Sequence, residues 1–556
     1  MATNHLNSAF NIFHILFLLS FFFSQSSANS PFPPSTICNS TPYPSLCNSI
    51  LPFSTSSSNV YDYTRSSIHK SLLSAQKFLS LIQKYLQKSQ NLTITAIRAL
   101  EDCKSLAEYN IDFLTSTFQT ITQSPQTLNV LKADEIQTLL SAILTNVETC
   151  IDSLQSTASA WRVKNGVLMP LSNDTRLYSV SLALFTKIWS SKKKIRPRSI
   201  DGKKLRLGNM SLNLKAIYEA VKNRGMLQSD DNGDHKVLVS DIVIVSKNGS
   251  GNFTSINDAV AAAHNNSDGS NGYFVIYITG GVHEEYVSVA KKKKYLIMIG
   301  DGINRTIITG NRSFVDGWTT FNSATFAVAG TGFIAVNITF RNTAGAIKHQ
   351  AVAVRNSADL STFYHCSFEA YQDTLYAHSL RQFYRECNIY GTVDFIFGNA
   401  AAVFQNCNIF PRLPMANQFN AITAQGRSDP NQSTGISIQN CSVRAANDLD
   451  RSNITIQTYL GRPWKLYSRT VYMQSFMGNL INPAGWNVWS GDFGLNTSYY
   501  AEFENLGPGS NPTHRVEWPG FHIVNATDAS NFTVSAFLMG DDWIPRTGVP
   551  YTGGLL

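Results

Sequence analysis

Apolar positions recur at spacings of three and four through residues 60 to 189. Leu72, Ala75, Leu79, Ile82 and Leu86 make one such stripe, and Ile136, Leu139, Leu140, Ile143, Val147, Cys150 and Leu154 make another. A third run passes through Leu100, Cys103, Leu106 and Ala107, and a fourth spans Leu177 to Leu184. An amphipathic helix buries one face with this period, so four helices in a small up-down bundle are predicted. Taken alone, the region reads as a folding module without catalytic chemistry.

From Val237 onward the pattern shortens to β-rich runs such as 242–245, 275–278 and 296–299. A repeat then emerges around four cysteines, Cys366, Cys387, Cys407 and Cys441. An apolar residue stands three before each (Phe363, Tyr384, Phe404, Ile438) and another two after (Phe368, Ile389, Ile409, Val443). The cysteines are 21, 20 and 34 residues apart. Strands repeating every 20 or so residues predict stacked coils, as in a parallel β-helix, with a loop inserted in the longer step. Hairpin turn signals are sparse, which disfavours other all-β arrangements.

The 556-residue chain is 43% hydrophobic and 15% charged, which supports large cores rather than disorder. Its net charge of +8 is local. Lys187 to Arg224 carries twelve Lys/Arg against two Asp/Glu, whereas Lys236 to the C-terminus carries 22 of each sign. A basic segment between two neutral regions does not describe a nucleic-acid binder. Lys192–Lys194, Arg196, Arg198, Lys203, Lys204 and Arg206 cluster there, and they read either as processing sites or as a solvated spacer.

The N-terminus predicts secretion. Residues 10–23 are an almost unbroken apolar run, too short to span a bilayer, and Ser26-Ser27-Ala28 offers a small-residue cleavage site. No later run is apolar for 18 residues, so no stable membrane span is expected. Asn-x-Ser/Thr sequons, among them Asn91, Asn252, Asn337 and Asn531, suit a secreted glycoprotein. The expected organisation is a signal peptide (1–28), a helical domain (29–189), a basic linker (190–236) and a β-helix (237–556). The eight cysteines split into an early four (Cys38, Cys47, Cys103, Cys150) and a late four. Even numbers in a secreted chain favour disulfides, and without a Cys-x-x-Cys pair no metal or other cofactor is expected.

The repeat carries chemistry. Asp373 and Asp394 are 21 residues apart, the Cys366–Cys387 step, so they occupy equivalent places on adjacent coils. Parallel strands lie about 4.8 Å apart, and two such carboxylates do not both ionise easily. One becomes an acid while the other stays an anion. Gln372 precedes Asp373 and Gln350 sits one coil earlier; Arg462, 68 residues after Asp394, falls roughly three coils on and supplies a cation. Turn-capping Asp residues and Gln ladders would give the same pattern without catalysis.

The local motifs go further. Gln350-Ala-Val-Ala353, Gln372-Asp-Thr-Leu375, Gly391-Thr-Val-Asp-Phe-Ile-Phe-Gly398, Leu460-Gly-Arg-Pro-Trp464 and Gly281-Val-His-Glu-Glu285 occur in order. In these motifs residues 237–556 closely resemble plant pectin methylesterases, with His283 where that family usually has Tyr. The resemblance implies that Asp394 is the nucleophile on a galacturonate methyl ester, and that Asp373 protonates methanol and then activates water. It implies that Gln372, assisted by Gln350, stabilises the oxyanion and that Arg462 orients Asp394 and keeps it ionised. It also implies a sugar-binding cleft with Phe321, Tyr376, Phe397, Tyr459, Trp464 and Trp489, and with Thr320 at its edge. For the aromatic residues other than Trp464, core packing is the competing reading.

Cys38-x8-Cys47 with Tyr43-Pro44, Glu101-Asp-Cys103 and Thr149-Cys-Ile-Asp152 resemble the family's inhibitor-like pro-domain. That resemblance implies disulfides Cys38–Cys47 and Cys103–Cys150, a four-helix bundle, and autoinhibition or quality control before secretion. In the late group Cys407–Cys441 is the expected pair, with Cys366 and Cys387 paired or stacked as thiols.

The function expected is a secreted cell-wall carboxylesterase acting on methyl-esterified pectin, with proteinaceous inhibitors of the same family as a second partner class. The lack of a Gly-x-Ser-x-Gly elbow disfavours a serine esterase. The competing functions are a different pectin-acting enzyme on the same scaffold, since paired carboxylates also serve glycosidases, and inhibition of other pectinesterases by the bundle.

Overall fold

The structure, a computed structural model, describes residues 33–52, 59–123, 128–156, 161–189 and 237–556. The expected signal segment and the basic linker lie outside the described residues. Two short helices, α1 (Pro34–Cys38) and α2 (Pro44–Ile50), precede four long ones: α3 (Val60–Gln87), α4 (Ile94–Gln123), α5 (Val130–Gln155) and α6 (Trp161–Trp189). Local chemistry sets the starts. Proline opens α1 and α2, where its missing N–H costs nothing. Asn59 accepts the Asp62 N–H while Asp62 accepts that of Asn59, and Asn129 caps α5 by accepting the Lys132 N–H.

Helices α3 and α5 each pack on both α4 and α6, which closes the four-helix ring. Ala75, Ile82, Leu100, Leu106, Ile136, Leu140, Ile143, Val147 and Leu154 are buried in its core, as the period predicts. Disulfide Cys38–Cys47 ties α1 to α2, and Cys103–Cys150 ties α4 to α5.

Beyond Val239 the chain winds as a right-handed parallel β-helix. Three parallel sheets of eleven, seven and eight strands form its walls. Phe363, Tyr384, Phe404 and Ile438 face one another in register on successive coils. Tyr384 stacks on Phe404 with ring centroids 4.4 Å apart and on Phe363 at 5.3 Å, building an aromatic column inside the coil. The lengthened step is two loops rather than one: residues 412–419 and 426–434 both expand the coil between Pro411 and Gly435.

Each coil turns a corner through a left-handed residue. Asn337, His365, Glu386, Asn406, Asn440, Gln474 and Glu504 all have φ between 45° and 59° and stack in one column. Asn406 and Asn440 join through a side-chain hydrogen bond of 2.8 Å, a ladder rung that supports the corner. Such backbone is strained for most residues, and asparagine tolerates it best.

The four late cysteines follow this corner and point inward. The expected Cys407–Cys441 disulfide is not formed; all four are buried thiols. The coil register places each sulfur on a carbonyl of the preceding coil instead. Cys407 Sγ donates to Tyr384 O at 3.5 Å and Cys441 Sγ to Phe404 O at 3.4 Å. The Gly281–Glu285 motif is structural. Glu285 accepts the Ile256 and Asn257 N–H groups and so caps the helix Ile256–Ala262. His283 is buried, with Nε2 3.1 Å from Thr279 O.

Candidate active site

The strands Leu375–Ala377 and Ile396–Gly398 pair in parallel within the seven-stranded sheet. Asp373 and Asp394 stand just before them, each two residues upstream of the paired Leu375 and Ile396. Both have left-handed backbones, with φ of 63° and 53°. The corner therefore lifts both carboxylates from the sheet edge into one cavity of about 380 Å³. Asp tolerates this conformation, so chemistry and geometry ask for the same residue type.

Arg462 follows the strand Thr458–Gly461, which pairs with Asn420–Gln425, which pairs with Ile396–Gly398. It therefore lies two coils beyond Asp394, not three, because the two expanded loops consume the extra residues. Its Nε and Nη2 donate to the two oxygens of Asp394 at 2.8 and 2.7 Å, a bidentate grip. Trp489 lies 4.3 Å from the guanidinium and holds its other face.

Burial pushes the Asp373 carboxyl well above its ordinary range, the charge of Asp394 adds to this, and Arg462 opposes it. Burial also raises Asp394, but both the hydrogen bonds and the charge of Arg462 pull it back. Burial works against the Arg462 cation and is outweighed by Asp394, so Arg462 stays charged. The pair is split: Asp373 holds a proton more firmly than Asp394.

Gln350, Gln372, Thr320, Phe321, Tyr376, Phe397, Trp464 and Trp489 all line the same cavity. Tyr376 stacks on Phe397 at 4.2 Å, and Trp464 meets Phe397 edge-on at 5.9 Å. Tyr459 is the exception. It is half-buried, packs edge-on against Phe419 at 5.7 Å and is not part of the lining. Its neighbour Leu460 points into the coil interior, so Tyr459 faces outward, where its ring meets Phe419 rather than the cavity.

The cavity has a second wall. Thr149, Asp152, Ser153, Gln155 and Ser156, at the C-terminal end of α5, close it from the helical domain. Phe321, Tyr376 and Phe397 are continuous with the apolar core of the bundle. Thr149 Oγ1 lies 3.3 Å from the Tyr376 hydroxyl and 3.0 Å from His378 Nε2. Burial holds the His378 imidazole well below its usual range, hence neutral.

Polar ties fasten the rest of the seam. Asn399 donates to Thr145 at 2.9 Å, Gln432 to Ser141 O at 2.9 Å, and Ser179 to Asp429 at 2.5 Å. Arg381 joins Asp359 to Asp134 of α5, and Asn322 donates to Asp102 of α4. Lys465 Nζ bonds Glu148 at 3.0 Å and Asp152 at 2.9 Å. Sequence reasoning named none of these seam residues as a site. The signals are the Glu101–Cys103 and Thr149–Asp152 motifs, which hold Asp102 and Asp152 but mark only the pro-domain in the sequence.

A buried carboxylate pair, one member gripped by arginine, on the side of a parallel β-helix is the side-chain set of an acid–anion hydrolase. Comparison with known proteins agrees. Residues 242–541 match the pectinesterase family and residues 34–184 the plant invertase/pectin methylesterase inhibitor family. A probable pectinesterase/pectinesterase inhibitor of Arabidopsis thaliana is 57% identical over 98% of this chain and 99% of its own length. Pectinesterase 2 of Citrus sinensis is 45% identical over 96% of this chain and 98% of its own. The structure of a pectin methylesterase from carrot, 50% identical, covers 59% of this chain and all of its own, with a TM-score of 0.55. The chain belongs to the pectinesterase family and carries that family's inhibitor domain in front of the enzyme.

Proposed function

We propose that this chain is a secreted, wall-acting pectin methylesterase whose own bundle holds it inactive until the two domains part. The observation that carries the reading is the bidentate Arg462–Asp394 pair beside a proton-holding Asp373, inside a cavity that α5 closes.

In this reading Asp394 attacks the carbonyl carbon of a galacturonate methyl ester. The developing oxyanion takes hydrogen bonds from Gln372 and Gln350. Collapse of the tetrahedral intermediate expels methanol, which takes the Asp373 proton and leaves an acyl-enzyme on Asp394. Asp373, now a carboxylate, draws a proton from water, and the hydroxide equivalent attacks the acyl carbon. The products are the freed galacturonic acid group, which carries the second proton of water and loses it to solvent, Asp394 as carboxylate and Asp373 reprotonated. Arg462 holds Asp394 along the line of attack and favours its anionic form before acylation and as the leaving carboxylate of deacylation.

The bundle's role is read from occupancy. A polysaccharide cannot reach Asp394 while Thr149, Asp152 and Ser156 stand over it. The test is methanol release from highly methylated pectin by the full chain, by the chain carrying Thr145→Arg, and by that chain with Asp394→Ala added. Thr145 is buried in the seam away from the acid pair, so an arginine there wedges the domains apart. The reading expects slow release from the full chain, at least tenfold faster release from the opened one, and almost none once Asp394 is gone. Equal rates for closed and opened chains would remove the autoinhibitory role. Undiminished release by the folded Asp394→Ala chain would remove the nucleophile.

A further inference from the structure

Lys465 is the residue after Trp464 in the Arg462-Pro-Trp464 run, and its ammonium lies 5.6 Å from that ring. In the closed chain it is largely buried, with 18% of its side chain exposed, and both carboxylates it binds belong to α5. Glu148 and Asp152 are one helical turn apart, so α5 presents them as a two-pronged anion. Asp152 also lines the cavity that holds Asp373, Asp394 and Arg462. Its Oδ2 is buried without a hydrogen-bond partner among the described residues, so the carboxylate is only half satisfied where it sits. Burial works against the Lys465 cation, and Asp152 and Glu148 outweigh it.

A lysine used only to fasten two domains could stand anywhere on the seam. This one follows Trp464 of the cavity lining, stands against its ring, and is satisfied by two α5 carboxylates, one of which, Asp152, itself lines the reaction cavity. The chemistry of the polymer supplies the same group. Every unit of a pectin chain carries either a methyl ester, which is neutral, or a free carboxylate. Once α5 is withdrawn, Lys465 is left as an unpaired cation beside Trp464.

We infer that Lys465 reads a free carboxylate on the polymer at a subsite beyond Trp464, and that Asp152 and Glu148 of α5 occupy that subsite as mimics of de-esterified galacturonate. The esterase so built prefers a chain with a free acid at Lys465 and an ester at Asp394. Its product is therefore a better ligand for this subsite than its starting material. The inference rests on the reading of the site as a pectin esterase, but its key readout is binding rather than turnover.

The test uses the full chain opened by Thr145→Arg, with Lys465 native, changed to Ala, or changed to Arg. Binding of fully de-esterified and fully methyl-esterified oligogalacturonides of equal length is measured by calorimetry, with methanol release from the methylated oligomer beside it. Lys465→Ala is expected to weaken binding of the acid oligomer about tenfold, as loss of one charge-assisted bond does. The same change should leave the methylated oligomer within about twofold, and Lys465→Arg should restore most of the loss. The acid-oligomer affinity of the Lys465 parent should also fall more steeply with salt than that of the alanine variant. Unchanged binding of the acid oligomer in Lys465→Ala, or equal losses for both oligomers, overturns the inference, as does an opened parent that does not bind the acid oligomer. If the parent binds it through Lys465 yet releases no methanol, the esterase reading fails and the subsite stands.

Discussion

Asp373 and Asp394 occupy the same corner of successive coils, and both hold it with a left-handed backbone, φ 63° and 53°. One repeat of the coil is thus also the spacing of an acid–anion pair. The fold sets the distance, and burial together with Arg462 decides which carboxyl keeps the proton. Because both residues bear a backbone role, removing a carboxylate and disturbing the corner are separate operations.

That separation is testable at Asp373. Asn tolerates a left-handed backbone nearly as well as Asp, so Asp373→Asn should fold normally, with a melting temperature within roughly 3 °C of the parent. In the proposed mechanism it can neither donate nor accept the proton, so methanol release in the opened chain should fall by about 10² to 10⁴. Asp373→Val should lose as much activity and roughly 1–3 kcal/mol of stability besides, from strain at a β-branched residue. Comparable melting of the Val and Asn chains would show that the corner carries no strain.

Arg462 supports a pH argument. A cation lowers the pKa of a nearby carboxyl, so its removal raises those of both Asp394 and Asp373. In the proposed mechanism Asp394 attacks as an anion, and the acid limb of the profile reports where it becomes one. Arg462→Gln should therefore move the acid limb of kcat/KM to higher pH and lower its maximum by about 10² to 10³. Methanol release from a methylated oligomer between pH 4 and 9 measures both. An acid limb left in place would mean that Arg462 positions Asp394 without tuning it.

Much of this was legible in the residues. The 21- and 20-residue steps between cysteines marked the coil, and the Asp373–Asp394 step placed the pair on it. The legible part is the periodic part, because each coil repeats the same side-chain environment. What period does not encode was missed. The left-handed corner column alternates among Asn, His, Glu and Gln, so no residue type announces it. Two expanded loops made Arg462 look one coil further away than it is. The expected Cys407–Cys441 pair is not formed; sequence gives the neighbour on the next coil but not the direction of its Sγ. The seam between the domains was invisible, since Thr149, Thr145 and Ser141 look like ordinary helix-surface residues until the β-helix lies against them.

The cysteine column yields a direct count. Cys366, Cys387, Cys407 and Cys441 are buried thiols, whereas the other four form the two bundle disulfides. All four sulfurs are buried in the coil interior, out of reach of an alkylating reagent. The folded chain, without reductant, should react with essentially no equivalents of a thiol reagent, and with four in guanidinium. Two in guanidinium would mean that one pair of the column had closed.

The seam should respond to pH through Asp102. This carboxyl of α4 bonds Ser153 of the bundle and Asn322 of the β-helix, with Arg355 and Thr319 facing it across the seam. Burial raises it to about 7, against the hydrogen bonds of Thr319 and Ser153 and the charge of Arg355. Asp152, also in the seam, is raised in the same direction by burial, with Lys465 opposing. A carboxyl whose pKa is higher when docked binds its proton preferentially in the docked state. Docking is therefore strongest below the free carboxyl range, weakens as pH rises from about 4 to about 7, and stops changing above that. Within the window one linked proton changes the docking constant by up to about tenfold per pH unit. The measurement is the ratio of methanol release by the full chain to that by the Thr145→Arg chain, which cancels the pH dependence of catalysis itself. The ratio should rise toward neutral pH, and Asp102→Asn should flatten that rise. A ratio that falls with pH, or a slope untouched by Asp102→Asn, would mean that Asp102 does not tie the seam to proton binding.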